Sequence, residues 1–347
     1  MVAPRPATLR DRIAIALQHA WQGRGAFSTA LLPAAWAFEA ASGARRLLFA
    51  RGLRATFALP VPVVVVGNVL VGGAGKTPTV IAIVELLRRH GFTPGIVSRG
   101  YGRADAGVVV VGADATARQV GDEPLLLQRR TGAPIAVGAE RVAAAHALLK
   151  MHPEIDIVVS DDGLQHLALA RDIEVLVFDE RGAGNGRLLP AGALRERVPE
   201  RLGPGRLVIY NADAATTALP GYLTRRALAG VTAIADWWAG VPPSPQALDA
   251  LQGRELVAVA GLARPERFFT MLRARGLTIV EHAVGDHADF ARLPWPTGAG
   301  DVIVTEKDAV KLPPSRPLGS RVWVARLDFV PEPAFDAALL AMLPLRR

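Results

Sequence analysis

The segment VPVVVVGNVLVGGAGKTPTVIAIVELLRRHG (61–91) limits what this chain can fold into more than any other. A β-branched run leads into a Gly-rich turn, then Lys76-Thr77, then apolar residues at 80, 81, 83, 84, 86 and 87 that stop at Gly91. That order predicts strand, loop and helix, the context in which backbone N–H groups at a helix N-terminus converge on phosphate oxygens. Gly72, Gly73 and Gly75 let the backbone approach closely, with Leu70, Val71 and Ala74 completing the loop. Lys76 is placed for the β- and γ-phosphates and Thr77 for Mg²⁺, so ATP and Mg²⁺ are the expected ligands. Pro78 falls in the first helical turn, where a missing N–H costs little.

The spacing departs from G-x-x-x-x-G-K-[ST], because Leu70 stands where that pattern has glycine. GGxGKT instead resembles the variant loop of partition-type and dethiobiotin-synthetase-type P-loop proteins, with Val71 where those carry a further lysine. The chain has only four Lys (76, 150, 307 and 311) in a total of 40 Lys and Arg, so a Lys here suggests that a compact ammonium is required. A Gly-rich strand-to-helix turn without a ligand is the plain alternative.

From Val61 onward, β-branched runs alternate with helical patterns, the signature of an α/β protein with a parallel sheet covered by helices. Strands are expected at 61–66, 94–98, 108–111, 155–160, 174–178 and 207–210, and again at 256–260, 277–281, 301–305 and 322–324. Between the two groups lies a looser stretch with Pro220, Trp237, Trp238 and GVPPSPQ. The expected organisation is an N-terminal segment (1–60), a P-loop core (61–235) and a smaller α/β domain (236–347), with the boundary within 225–250.

In a chain of 347 residues, half hydrophobic and 21% charged, disorder is excluded as the main state, and the absence of Cys excludes disulfides and thiolate chemistry. No run of about 18 apolar residues and no secretory leader pattern occurs, so neither a spanning helix nor secretion is expected. Of the net charge of +8, +6 lies in residues 1–60, a distribution unlike a nucleic-acid-binding domain. Phe27, Leu31, Leu32, Trp36 and Phe38, then Arg45, Arg46, Leu47, Leu48 and Phe49, read as a helix, an interruption at Pro33 and a basic amphipathic helix. Such a segment suits an anionic membrane surface, or else packs on the protein's own core.

EIDIVVSDDGLQH (154–166) ends an apolar strand in Asp161-Asp162, as a Walker-B-like strand does whose acid holds Mg²⁺; an Asx turn is the alternative. Asp122, before Pro124, reads as a helix cap or as a catalyst, and His287, beside Asp286, as a loop residue or as an acid–base partner. Ser98 and Arg99 in GIVSRGYGR, Arg141, Gln165, and Asn185 and Glu196 in GNGRLLPAGALRER could meet an anionic substrate or lie on the surface. TEKDAVKL (305–312) reads as a helix start with solvated charges.

In this order GGAGKTP, SRGYGR, VGDEP, SDDGLQH, LLPAGALRE, GLARPERFF, GDHADF and TEKDAVKL resemble the tetraacyldisaccharide 4'-kinase family from about residue 25 to 345. The resemblance implies phosphorylation of the 4'-hydroxyl of a tetraacylated disaccharide 1-phosphate from MgATP, at the cytoplasmic face of the Gram-negative inner membrane. It further implies that Asp122 and His287 form the acid–base pair, that Asp161 and Asp162 organise Mg²⁺ and nucleotide, and that Arg141, Gln165 and Glu196 line the site. Leu167 and Ala193 depart from the expected family residues. A partition-type ATPase or GTPase switch is the competing reading, and it leaves SRGYGR and LLPAGALRE without a task.

Overall fold

The computed structural model describes residues 17, 21, 23–285, 288 and 290–343. The first half supplies β1 (Val63–Gly67), β2 (Pro94–Ser98), β3 (Val109–Val110), β4 (Ile135–Val137), β5 (Ile157–Asp161), β6 (Ile173–Asp179) and β7 (Arg206–Asn211). The second supplies β8 (Tyr222–Ala233), β9 (Glu255–Ala260), β10 (Thr278–Ala283), β11 (Asp301–Thr305) and β12 (Arg321–Pro331). Among the described residues these strands form one twelve-stranded sheet in the order β10-β9-β11-β12-β8-β7-β6-β1-β5-β2-β4-β3. Only β3–β4 and β8–β12 are antiparallel, so the fold is α/β with a mostly parallel sheet.

β1 shows why the sheet is covered on both faces. All five of its residues are buried, as expected of a central parallel strand, and its side chains alternate between two cores. Val64 and Val66 pack with Val80, Ile83, Val84 and Leu87 of the helix Lys76–Arg89. Val63 and Val65 pack on the opposite face with Ala144, Leu148 and Ala35. Each fully buried Val or Leu contributes roughly 1.5–3 kcal/mol, so the strand that carries the loop is among the most firmly held parts of the chain. The first core continues into the second half through Val259, Val302, Val304, Phe335 and Leu339.

Two strands escape a reading of apolar runs. β4 has only three residues, and β8 contains Arg225, Arg226 and Gly230 within its twelve. β8 pairs with β7 at Ile209↔Tyr222 and with β12 from Thr224 to Ala233, so it carries the sheet from one half into the other. The stretch that looked loose in sequence is thus partly a long strand whose polar residues hide its alternation.

The N-terminal segment forms the helices Ala26–Ala30 and Leu32–Ala50, with Pro33 in the first turn of the second. Ser28 and Ala35 are the buried positions of these two helices, while Leu31, Leu32 and Phe38 pack partly against the core. Phe27, Trp36, Leu47, Leu48, Leu53 and Phe57 are exposed together with Arg45, Arg46, Arg51 and Arg54. Among the described residues no helix is long and apolar enough to cross a membrane.

Candidate active site

The carboxyl ends of β1, β5, β6 and β7 bring Gly67, Asp161, Asp179 and Asn211 to one edge of the sheet, the edge where open α/β sheets bind ligands. From there the chain runs through residues 68–75 to the helix Lys76–Arg89, whose N-cap Gly75 has φ +94°. A Cβ at Gly75 would lie 2.2 Å from Asn211 Nδ2, so glycine is required for space as well as for conformation. The LLPAGALRE segment props the loop from outside. Val71 N donates to Ala193 O at 2.8 Å, Arg195 N donates to Val69 O at 2.7 Å, and Leu70 bridges Leu194 with its side chain in the core. Leu70 and Val71 thus serve this pairing.

Lys76 is held inside a chain of polar contacts. Its Nζ donates to Asn68 Oδ1 at 3.3 Å and lies 3.6 Å from Asp162 Oδ1. Arg195 Nη1 pairs with the same Asp162 oxygen at 3.2 Å and donates to Gln165 Oε1 at 3.2 Å, and Gln165 Nε2 donates to Glu196 Oε1 at 3.0 Å. Against the cost of burial, Lys76 and Arg195 hold the Asp162 carboxyl below its ordinary range. Asp162 also has φ +49°, the one non-glycine residue at positive φ among those described. Strain of this kind concentrates at functional sites.

Asp161 is different. Its Oδ2 accepts from Ser98 Oγ at 2.9 Å, whereas its Oδ1 is buried without a hydrogen-bond partner. Burial pushes its carboxyl up to about 7, and the Glu123 and Asp162 charges push the same way, against Lys76 and the Ser98 hydroxyl. An orphaned carboxylate oxygen beside Asp162, with Thr77 on the wall of the neighbouring cavity, fits a divalent cation of the Mg²⁺ type. Mg²⁺ takes one or two carboxylates and completes its shell with phosphate oxygens and water. Accordingly, no cluster of three acidic, His or Cys side chains is needed, and the described residues contain none.

Arg141 is buried behind this pair. It donates to Gly138 O at 2.6 Å and to Asp161 O at 3.4 Å, and burial, offset in part by Asp161 and Asp162, lowers it to about 10. Arg99 is exposed; its charge and that of Arg45 both act on the half-buried His166. Asn185 lies elsewhere, and its Nδ2 donates to Gly23 O, Ser28 Oγ and Ala191 O, tying down the N-terminal helices. His287 lies outside the described residues.

Asp122 opens the helix Asp122–Thr131, and the cap is Gly121, which removes the reading of Asp122 as the cap. It faces the second half. Lys311 Nζ lies 3.6 Å from Asp122 Oδ2 and 3.4 Å from Asp308 Oδ1, and sits over the Phe290 ring at 4.8 Å. Lys307 Nζ meets Glu123 Oε1 at 3.4 Å, and Arg130 pairs with Glu306 at 2.5 Å. The charges of TEKDAVKL are therefore not solvated, since Glu306 and Asp308 are buried in the seam between the halves. A cavity of about 250 Å³ opens along this seam, between Lys76, Thr77 and Ile81 on one side and Ala263, Phe268 and Lys307 on the other. Lys76 and Lys307 line the cavity, and Lys311 lies in the same seam against Asp122 and Asp308, a clustering of three of the four lysines that motif spacing does not show.

The sequence model of tetraacyldisaccharide-1-P 4'-kinase matches residues 27–344. The chain belongs to this family. It is 55% identical to the tetraacyldisaccharide 4'-kinase of Methylibium petroleiphilum over 99% of this chain and 96% of that protein. To the tetraacyldisaccharide 4'-kinase of Leptothrix cholodnii it is 51% identical, over 97% of this chain and 98% of that one. Its fold is similar to the crystal structure of the "apo" form of LpxK from Aquifex aeolicus in complex with ATP, with a TM-score of 0.76 and 25% identity. That likeness covers 92% of this chain and all of the other.

Proposed function

We propose that the chain transfers the γ-phosphate of ATP to the 4'-hydroxyl of a tetraacyldisaccharide 1-phosphate, with Lys76 and Asp122 on opposite sides of the transferred group. The observation that carries the reading is a GGAGKT loop beside an orphaned Asp161 oxygen, with Glu123, the neighbour of Asp122, lining the same cavity as Lys76 and Thr77. The named relatives are all kinases, and none supports a switch ATPase.

In this reading the N–H groups of residues 72–77 and the helix N-terminus hold the triphosphate, and Lys76 offsets charge on the β- and γ-oxygens. Thr77, Asp161 and Asp162 would hold Mg²⁺, which supplies Lewis-acid neutralisation of the same oxygens when bound. Asp162 also keeps Lys76 and Arg195 aligned. Asp122 accepts the proton of the 4'-hydroxyl as the oxygen attacks the γ-phosphorus and ADP leaves, and His287, by family resemblance, orients it. Ser98 fixes the Asp161 carboxylate, and Arg141 donates to the Asp161 backbone carbonyl. Gln165 and Glu196 face the acceptor sugar, and Arg99 meets an anionic group on the acceptor. Asn185 acts at a distance, through the N-terminal helices.

Those helices and the turn after them put Trp36, Leu47 and Leu53 into the interface of an anionic membrane and their Arg heads at the phosphates, as expected for a peripheral enzyme at the cytoplasmic face of the bacterial inner membrane. Transfer of label from γ-labelled MgATP to the lipid acceptor in detergent tests the reaction. Label on the 4'-position supports it, and label released only as free phosphate, with or without lipid, contradicts it. Trp36→Glu with Leu53→Glu should weaken flotation with anionic liposomes while leaving turnover in detergent intact. Undiminished flotation would contradict the membrane assignment.

A further inference from the structure

Four successive carbonyls of the phosphate loop are each engaged by a side chain. Val71 O accepts from Arg181 Nη1 at 3.0 Å, Gly72 O from Asn68 Nδ2 at 3.1 Å, Gly73 O from Arg181 Nη2 at 3.4 Å and Ala74 O from Asn211 Nδ2 at 3.0 Å. A loop whose carbonyls are held outward has its N–H groups free to turn inward, and the two together define an anion nest. We propose that Arg181 and Asn211 are positioning residues that hold the loop in its phosphate-binding shape. The inference rests on residues 72–77 being the nucleotide site.

Both side chains are themselves fixed. Arg181 Nε donates to Asp179 Oδ2 at 2.9 Å, and Asp179 is buried at the end of β6. The planar guanidinium thus uses one edge on the carboxylate and its two remaining nitrogens on the loop, which an ammonium cannot do. Arg226 Nε donates to Asn211 Oδ1 at 2.6 Å and its Nη2 to Asn211 O at 2.7 Å. A guanidinium only donates, so the amide oxygen must face Arg226 and the amide nitrogen must face Ala74. Arg226 continues to Glu180, which also accepts from Arg264 and pairs with Arg267 of the second half. The clamp therefore links the loop to the opposite wall of the cavity, which Arg264 and Arg267 also line.

The glycines of the loop agree with this. A Cβ at Gly72 would lie 3.2 Å from Arg181 Nη1, and one at Gly75 would overlap Asn211 Nδ2. Both positions leave room for the clamp as well as for phosphate.

Asn211→Asp keeps the size of the side chain and its contact with Arg226 but leaves Ala74 O facing an acceptor. Arg181→Lys keeps the charge but loses the fork. The full-length variants are compared with the wild type in MgATP affinity, read by displacement of a fluorescent ATP analogue, in KM for each substrate, and in Tm. Both variants should raise Kd and KM for ATP by about tenfold, the order of one hydrogen bond lost, with lipid KM and Tm unchanged. Unchanged ATP affinity would overturn the proposal, as would a loss of lipid affinity and Tm that matches the loss for ATP. A wild type that binds ATP yet phosphorylates no lipid would sink the kinase reading, and the ATP-binding comparison would still decide the clamp.

Discussion

Lys76 meets Asn68 across eight positions of sequence, whereas Glu123 meets Lys307 across 184. The phosphate loop takes the partner of Lys76, Asn68, from its own neighbourhood, and its braces from residues 181, 193–195 and 211, with Arg226 of β8 behind Asn211. The seam at Asp122 is built from two distant segments and exists only when the halves meet. In the loop a cation sits between Asn68 and Asp162; in the seam carboxylates and lysines pair off beside a cavity. On the proposed reading, electrostatic stabilisation falls to the loop and the acceptor's proton to the seam.

Lys76→Ala is the sharpest way to break this division. It removes the charge facing the transferring group and should lower kcat by on the order of a thousandfold in the labelled-transfer assay, more than any change in the seam. Asp122→Asn should lower kcat by about a hundredfold, within the range of general-base contributions. A larger loss for Asp122→Asn than for Lys76→Ala would reverse the assignment. Lys311→Met should cost about tenfold, and in a double-mutant cycle its effect should vanish on the Asp122→Asn background, because the two share one ion pair. Full additivity in that cycle would separate Lys311 from the proton acceptor.

The smallest effect concerns His166, which closes the SDDGLQH segment. Burial, with help from Arg141, Arg99 and Arg45, lowers its imidazole to about 4 from an ordinary 6.5. Between those values the folded chain binds fewer protons than the unfolded one, so stability is full above pH 6.5 and falls as pH drops toward 4. His166→Gln should flatten Tm against pH in that window. An equally steep profile in the variant would place the acid sensitivity in other groups.

The same comparison explains what the sequence made legible. β1, the GGAGKT turn and the helix Lys76–Arg89 were readable because their logic is local: apolar period, glycines, Lys-Thr and a stop at Gly91. Asp161-Asp162 at a strand end followed from the same kind of pattern. The pairing of Asp122 with Lys311, the burial of Glu306 and Asp308, and the support of the loop by residues 193–195 were not readable, because spacing says nothing about which distant segments meet. β8 was hidden because Arg226 joins a charged network and the exposed Arg225 breaks the apolar alternation that marks a half-buried strand. The resemblance to the kinase family gave what physics alone withheld, the identity of the acceptor.

The most direct test of the division between loop and seam is to measure, on Asp122→Asn, both the Kd for MgATP and the single-turnover rate of label transfer to the lipid. The account predicts an unchanged Kd with a rate lowered by about a hundredfold. A Kd that rises in step with the falling rate would place Asp122 in the nucleotide site and contradict it.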